Sequence, residues 1–202
     1  MRDDRHKWPP ALGNARPELT GENIEARLVT LKRQTVISGA LNDCLAACDM
    51  DAATAGGADL AVGDVYALRQ RRDRLLVVNG LCLTDGWHAD RNIAVSDFSA
   101  AYAVISLAGP NAERLIATGT EFVGDSPSPS VSRLWHGFGT LLYRHNQPQS
   151  YRMHVRAAQL EAVWEMIGRQ VSALDSASDL VLAREDLANE TRYDGLCQRK
   201  AS

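Results

Sequence analysis

Apolar runs in this chain of 202 residues are only a few residues long, as at Leu75 to Val78, whereas a bilayer-spanning helix takes about 20. No membrane role is expected. Nor does the sequence open on a secretory leader, because Met1 to Pro10 mixes both charge signs and reaches proline before any apolar core, which makes the cytoplasm the expected compartment. Cysteine is sparse: Cys44, Cys48, Cys82 and Cys197 include no Cys-x-x-Cys pair, and in a reducing compartment the thiols are expected to stay free. Neither sign of charge dominates, with 22 basic and 25 acidic side chains and a formal net charge of −3. Without a basic field to hold phosphates, nucleic acid is not an expected partner. A phosphate-cradling loop is also lacking, since Gly137-Phe138-Gly139 has neither the third glycine nor the strand-to-helix setting.

What is there is ordinary globular composition, 45% apolar and 23% charged. A chain this long hides about 70% of its unfolded surface and makes one domain, or two lobes on a shared core. Residues 1–22 hold Pro9, Pro10 and Pro17 with few apolar side chains, and an N-terminal arm is expected there. Residues 23–175 form the expected α+β domain, and 176–202 a helical extension, with a helix from about Asp179 to Asn189. Partial alternation from Ile24 to Ile37 predicts one strand, after which Ser38 is placed to cap a helix carrying Leu41, Leu45 and Cys48. Val62 to Leu68 and Leu75 to Val78 predict a hairpin tipped by Arg69-Gln70-Arg71-Arg72-Asp73-Arg74. Gly80 to Asp90 predicts a loop or short helix. Further strands are expected at Ile93–Phe98, Tyr102–Leu107, Val131–Trp135, Gly139–Tyr143 and Tyr151–Val155, with helices after Gly109-Pro110 and over Ala157–Val171. Strands paired through hairpins rather than helical crossovers argue for mostly antiparallel sheets with packed helices.

Candidate chemistry is thin. Cys44 and Cys48 lie one helical turn apart, but a zinc site needs two more ligands. Cys82 and His88 can be recruited only by the fold. His6, His88, His136, His145 and His154 show no His-x-x-x-His pair, and no Gly-x-Ser-x-Gly elbow supplies a nucleophile. Asp85-Gly86-Trp87-His88 is the most site-like cluster and is read as a turn. Arg69, Arg71, Arg72 and Arg74 either clamp an acidic partner or phosphates, or form a solvated tip whose charge blocks unwanted sheet pairing. Arginine outnumbers lysine 19 to 3 along the whole chain, so part of this bias is compositional. Trp135 is marked as an exposed aromatic suited to an interface.

The stretch Val95 to Ile116 runs Asp97-Phe98-Ser99, a strand, then Gly109-Pro110-Asn111-Ala112 and a helix. It resembles the central signature of the gamma subunit family of heterotetrameric sarcosine oxidase, which looks related to the folate-binding aminomethyltransferases, the glycine cleavage T-protein superfamily. Tyr151 to Arg156 and the Trp164-containing helix resemble that family's closing elements, and the likeness spans residues 24–172. Arg69 to Arg74 replaces the family's usual Gly-Pro-Asp-Glu type of turn. The resemblance implies a fold like the aminomethyltransferase folate-binding domain, and a subunit with no catalytic, cofactor-binding or metal residues of its own. It implies partner chains of alpha, beta and delta type in a bacterial complex oxidising sarcosine or a related N-methyl amino acid, with FAD, FMN, NAD and tetrahydrofolate held by those partners. The alternative is a free-standing folate-binding domain that transfers one-carbon units, with Asp97 and Tyr102 as conceivable pterin contacts. A module that binds only protein is a third reading.

Overall fold

Twelve strands alternate in register so that two sheets form, each apolar on both faces where a layer covers it. The computed structural model describes residues 18–54, 59–120 and 128–176. The strands are β1 (Glu18–Gly21), β2 (Ile24–Val29), β3 (Gln34–Ser38), β4 (Leu60–Ala61), β5 (Tyr66–Arg71), β6 (Arg74–Val78), β7 (Gly86–His88), β8 (Ile93–Asp97), β9 (Tyr102–Ala108), β10 (Ser132–Trp135), β11 (Phe138–His145) and β12 (Gln147–Arg156). Helices are α1 (Leu41–Ala47), α2 (Ala112–Ala117) and α3, over 160–176, entered through a 3-10 turn at Ala157–Gln159.

The larger sheet runs β1-β2-β9-β12-β11-β10, with β4 parallel to one end of β11, and the smaller runs β5-β6-β3-β8-β7. All strands of the smaller sheet fall between β2 and β9, which are themselves direct antiparallel neighbours. The smaller sheet is therefore nested inside the larger one in sequence. Ile105 and Leu107 of β9 and Tyr151, Met153 and Val155 of β12 pack under Leu115 and Ile116 of α2 and under Leu160, Val163, Trp164 and Ile167 of α3. Helical spacing on α3 and period two on the strands meet in that core. The opposite face of the larger sheet, with Leu141 and Tyr143, packs on Val36, Tyr66, Leu68, Leu76 and Val78 of the smaller sheet. Ile37, Leu75, Val77, Ile93 and Val95, on the smaller sheet's far face, are covered by Cys44, Leu45 and Cys48 of α1 and its exit. Four layers result, helix, sheet, sheet, helix, in the expected α+β class with antiparallel pairing predominant.

Several expectations are corrected in detail. Ile24 to Ile37 is two strands in two sheets, because the chain crosses between layers at residues 30–33. Ser38 closes β3 and accepts a hydrogen bond from Arg74 Nε at 3.2 Å, while Ala40 stands at the N-cap of α1 with no side-chain bond. Gly86–His88 is a short edge strand, not a loop or helix. β1 lies inside the stretch expected to be an arm, pairing with β2, and the Glu22 N–H next to it donates to Asp175 Oδ1 at 3.0 Å. The helix expected from Asp179 to Asn189 lies outside the described residues.

The Gly109-Pro110 turn has a plain steric reason. Gly109 has φ of +112°, and a Cβ there would stand 2.5 Å from the Asn23 carbonyl oxygen. That carbonyl accepts from the Asn111 N–H at 3.1 Å, so the turn that launches α2 is locked to the β1-β2 hairpin. At the β10-β11 turn His136 and Gly137 have φ of 47° and 83°, as a two-residue turn matched to strand twist requires.

Candidate functional site

Two polar clusters dominate the described part of the molecule. The first lies between the sheets. Gln34 on β3 directs its side-chain N–H groups at the Tyr102 carbonyl at 3.0 Å and the Ser99 carbonyl at 3.5 Å, so its Oε1 faces His154 Nδ1 at 2.8 Å. That contact puts the proton on Nδ1 and leaves Nε2 as an acceptor. Tyr143 O–H then donates to Nε2 at 2.7 Å, Tyr66 O–H donates to the Tyr143 oxygen at 2.8 Å, and Arg152 Nη1 donates to the Tyr66 oxygen at 2.6 Å. The donors all run one way, from the half-buried Arg152 inward to Gln34 and the two carbonyls. Every joint crosses strands or sheets.

Electrostatics fit a sealed relay. His154 is fully buried, and desolvation, reinforced by the Arg152 charge, pushes its pKa down to about 3. Burial raises Tyr143 and Tyr66 above the ordinary phenol value, so both keep the protons the relay uses. Beside it, His145 Nε2 donates to the Gly63 carbonyl at 3.0 Å, and desolvation lowers its pKa. None of the relay's side chains lines the cleft of about 460 Å³ formed by Asp43, Ala46, Ala47, Asp90, Arg91 and Asn92 beside α1. The relay holds one sheet on the other and keeps its imidazole and its two phenols neutral.

The second cluster is the β5-β6 hairpin. A bulge between Arg69 and Arg71 turns the Gln70 carbonyl toward Ser130 and Ser132, whose hydroxyls donate to it, the latter at 3.0 Å. Gln70 is 8% exposed, and its Nε2 has no hydrogen-bond partner. Arg69 Nε is in the same state, and these two are the buried side-chain polar atoms left bare among the described residues. Arg71 and Arg72 are exposed at the tip. No carboxylate of the described residues ion-pairs with any arginine of this hairpin.

The remaining sequence candidates are placed as follows. Cys44 and Cys48 are buried on the inward face of α1. The Cys48 thiol donates to the Cys44 carbonyl at 3.1 Å, and Cys44 is pushed up to about 11 by burial first, then by Cys48 and by Asp43 and Asp73. Cys82 is exposed, and His88, the last residue of β7, donates to the carbonyl of Thr84 just before that strand at 2.7 Å. Among the described residues no group of three or more His, Cys, Asp or Glu is placed to hold a metal ion. Asp97 is exposed and accepts from the Ser99 N–H at 2.8 Å, and Ser99's hydrogen bonds hold its pKa down. Tyr102 stacks on Phe98 at 5.9 Å between ring centroids. Asp97 thus caps a turn and Tyr102 packs against Phe98, and neither lines the cleft beside α1. Trp135 is not exposed: it is wholly buried under α2, with Nε1 donating to the Ile116 carbonyl at 3.1 Å. Its neighbour Leu134 is the exposed one, at 66%.

The inter-sheet relay was missed from sequence. Its nearest signal was Arg152 and His154 alternating with Tyr151, Met153 and Val155, a pattern that normally means a solvent face. No helix among the described residues is long and apolar enough to cross a membrane.

No protein-family model matches the chain, and no curated protein matches it. Among solved structures the fold matches a chain of heterotetrameric sarcosine oxidase from Corynebacterium sp. U-96, determined in complex with pyrrole 2-carboxylate. That match has a TM-score of 0.63 at 18% identity and covers 78% of this chain and 89% of that one. The two share a fold. An aspartate kinase from Clostridium acetobutylicum also matches, with a TM-score of 0.35 at 13% identity over 84% of this chain and 37% of that one, a superposition too loose to carry an argument.

Proposed function

We propose that this chain is a non-catalytic, gamma-type subunit of a bacterial, cytoplasmic heteromeric flavoenzyme that oxidises sarcosine or a related N-methyl amino acid. The observation that carries the reading is the whole-domain match to a chain of heterotetrameric sarcosine oxidase, in which nearly all of that chain is covered. The covered shares make that chain similar in length to this one, as a small subunit is. A second support is internal: the Val95 to Ile116 segment that resembles the gamma signature folds as β8 in the smaller sheet, then β9 at the centre of the larger sheet, the Gly109 turn and α2. The chemistry would then belong to partner chains of alpha, beta and delta type carrying FAD, FMN, NAD and tetrahydrofolate. This chain would contribute a rigid four-layer body, held in shape by the sealed relay of Gln34, His154, Tyr143, Tyr66 and Arg152.

The test is affinity purification of the tagged full chain from its native host, followed by mass spectrometry and a visible spectrum. Flavin-bearing chains in fixed ratio, with flavin absorption bleached by sarcosine or another N-methyl amino acid, are the expected result. A chain that elutes alone and colourless from cells expressing the flavoprotein overturns the reading. Titration with tetrahydrofolate would then test the free-standing folate-binding alternative.

A further inference from the structure

We infer that the arginine hairpin, residues 69–74, is the surface on which this chain docks an acidic segment of a partner protein. The inference rests on the subunit reading above and adds a location and a chemistry to it. Arg69, Arg71, Arg72 and Arg74 stand within six residues against one carboxylate, Asp73, in a chain whose formal net charge is −3. Their charge therefore runs against the sign of the whole, and the described residues supply no ion pair to any of them.

Edge protection is the competing explanation, since charge on an outer strand prevents sheet-to-sheet association. It does not account for this edge. The outer side of β5 is already occupied: the Arg69 N–H donates to the Thr54 carbonyl at 2.8 Å, Thr54 N–H donates to the Ala67 carbonyl at 2.9 Å, and Val131 N–H donates to the Arg69 carbonyl at 2.9 Å. There is little bare backbone to guard, and by the same token little for a partner strand to pair with. Recognition here falls to side chains.

A second observation points to a ligand. Arg69 Nε and Gln70 Nε2, the two bare buried donors of the described residues, both lie at the base of this hairpin. Elsewhere among the described residues the buried side-chain nitrogen and oxygen atoms are paired, as is the rule in native proteins, and an exception asks for a cause. Guanidinium and amide N–H groups are complementary to carboxylate oxygens, and arginine forks hold them in two-bond geometry. A partner segment rich in Asp and Glu is complementary to the exposed charges of Arg71 and Arg72, which stand next to those two donors in sequence.

The experiment compares the tagged wild-type chain with Arg71→Glu/Arg72→Glu and with Arg71→Gln/Arg72→Gln, each purified from the native host at low and at high salt. Both positions are exposed, and thermal melts of the isolated chains confirm that folding is unchanged. Recovery of the flavin-bearing chains is expected to fall about tenfold or more in the Glu variant and by less in the Gln variant, and wild-type recovery is expected to fall as salt rises. A photo-crosslinking residue placed at Arg72 is expected to mark an Asp- and Glu-rich segment of a flavin-bearing chain. If all three chains recover the flavoprotein equally, the docking surface is overturned while the subunit reading stands. If wild type recovers no flavoprotein, both fall. If wild type instead recovers nucleic acid that the Glu variant loses, the protein partner is overturned in favour of a phosphate polymer.

Discussion

The relay between the sheets and the base of the arginine hairpin are built from the same kinds of group and end in opposite states. At the relay, Gln34, His154, Tyr143 and Tyr66 form an unbroken directional chain, with the buried imidazole paired at both nitrogens. At the hairpin, consecutive residues leave donor nitrogens buried and bare. A closed network consumes its own hydrogen-bonding capacity and can only hold the fold together. An open one keeps capacity for something outside the chain, at a cost in stability of the folded subunit.

The sharpest way to break this contrast is His154→Leu. It removes the acceptor of the Tyr143 proton and the donor to the Gln34 oxygen, both buried, and a loss of about 3 kcal/mol in urea unfolding is expected. A cost no greater than that of an exposed substitution removes the distinction. Acid should act on the same point. His154 titrates at about 3 when folded against 6.5 when free, so the unfolded chain takes up the proton first. Its contribution is constant above about pH 6.5 and is lost as pH falls from there toward 3. At pH 5 that amounts to about 2 kcal/mol, and His154→Gln should flatten the acid side of a stability profile by this amount relative to wild type. Tyr66→Phe removes one joint while Tyr143 still reaches His154, and about 1 kcal/mol is expected from the same unfolding curves. At the hairpin the sign changes. Gln70→Leu deletes a bare buried amide and should leave stability unchanged or raise it by up to about 1 kcal/mol, read as a shift in thermal midpoint. A clear destabilisation there would mean that Gln70 is satisfied in the isolated chain after all.

The hairpin was legible because its residues are contiguous: two apolar runs flank six residues of almost pure charge. The Gly109-Pro110 start of α2 was legible for a similar reason, since glycine and proline act locally. The relay was not, because Gln34 and His154 are 120 residues apart and only the stacking of the sheets joins them. Alternation in Tyr151 to Val155 gave the strand correctly and the environment of its polar face wrongly, since that face meets another sheet instead of water. Trp135 went wrong by a single step of the same period: the strand was right, but Leu134 takes the exposed side and Trp135 the core. β7 escaped because three residues are too few to show a period.

The nesting of the smaller sheet within the larger has a consequence for how the chain is made. Gln34 to Asp97 contains every strand of the smaller sheet, whereas β9 finds its second neighbour, β12, only when residues 147–156 have emerged. During synthesis the smaller sheet can therefore assemble early with α1 on its back, while the face carrying Val36, Leu76 and Val78 waits uncovered for strands not yet made. Long-range pairing of that kind closes late and leaves apolar surface open to aggregation. The ribosome's order of delivery, and not the strength of any one contact, sets when this protein is most at risk.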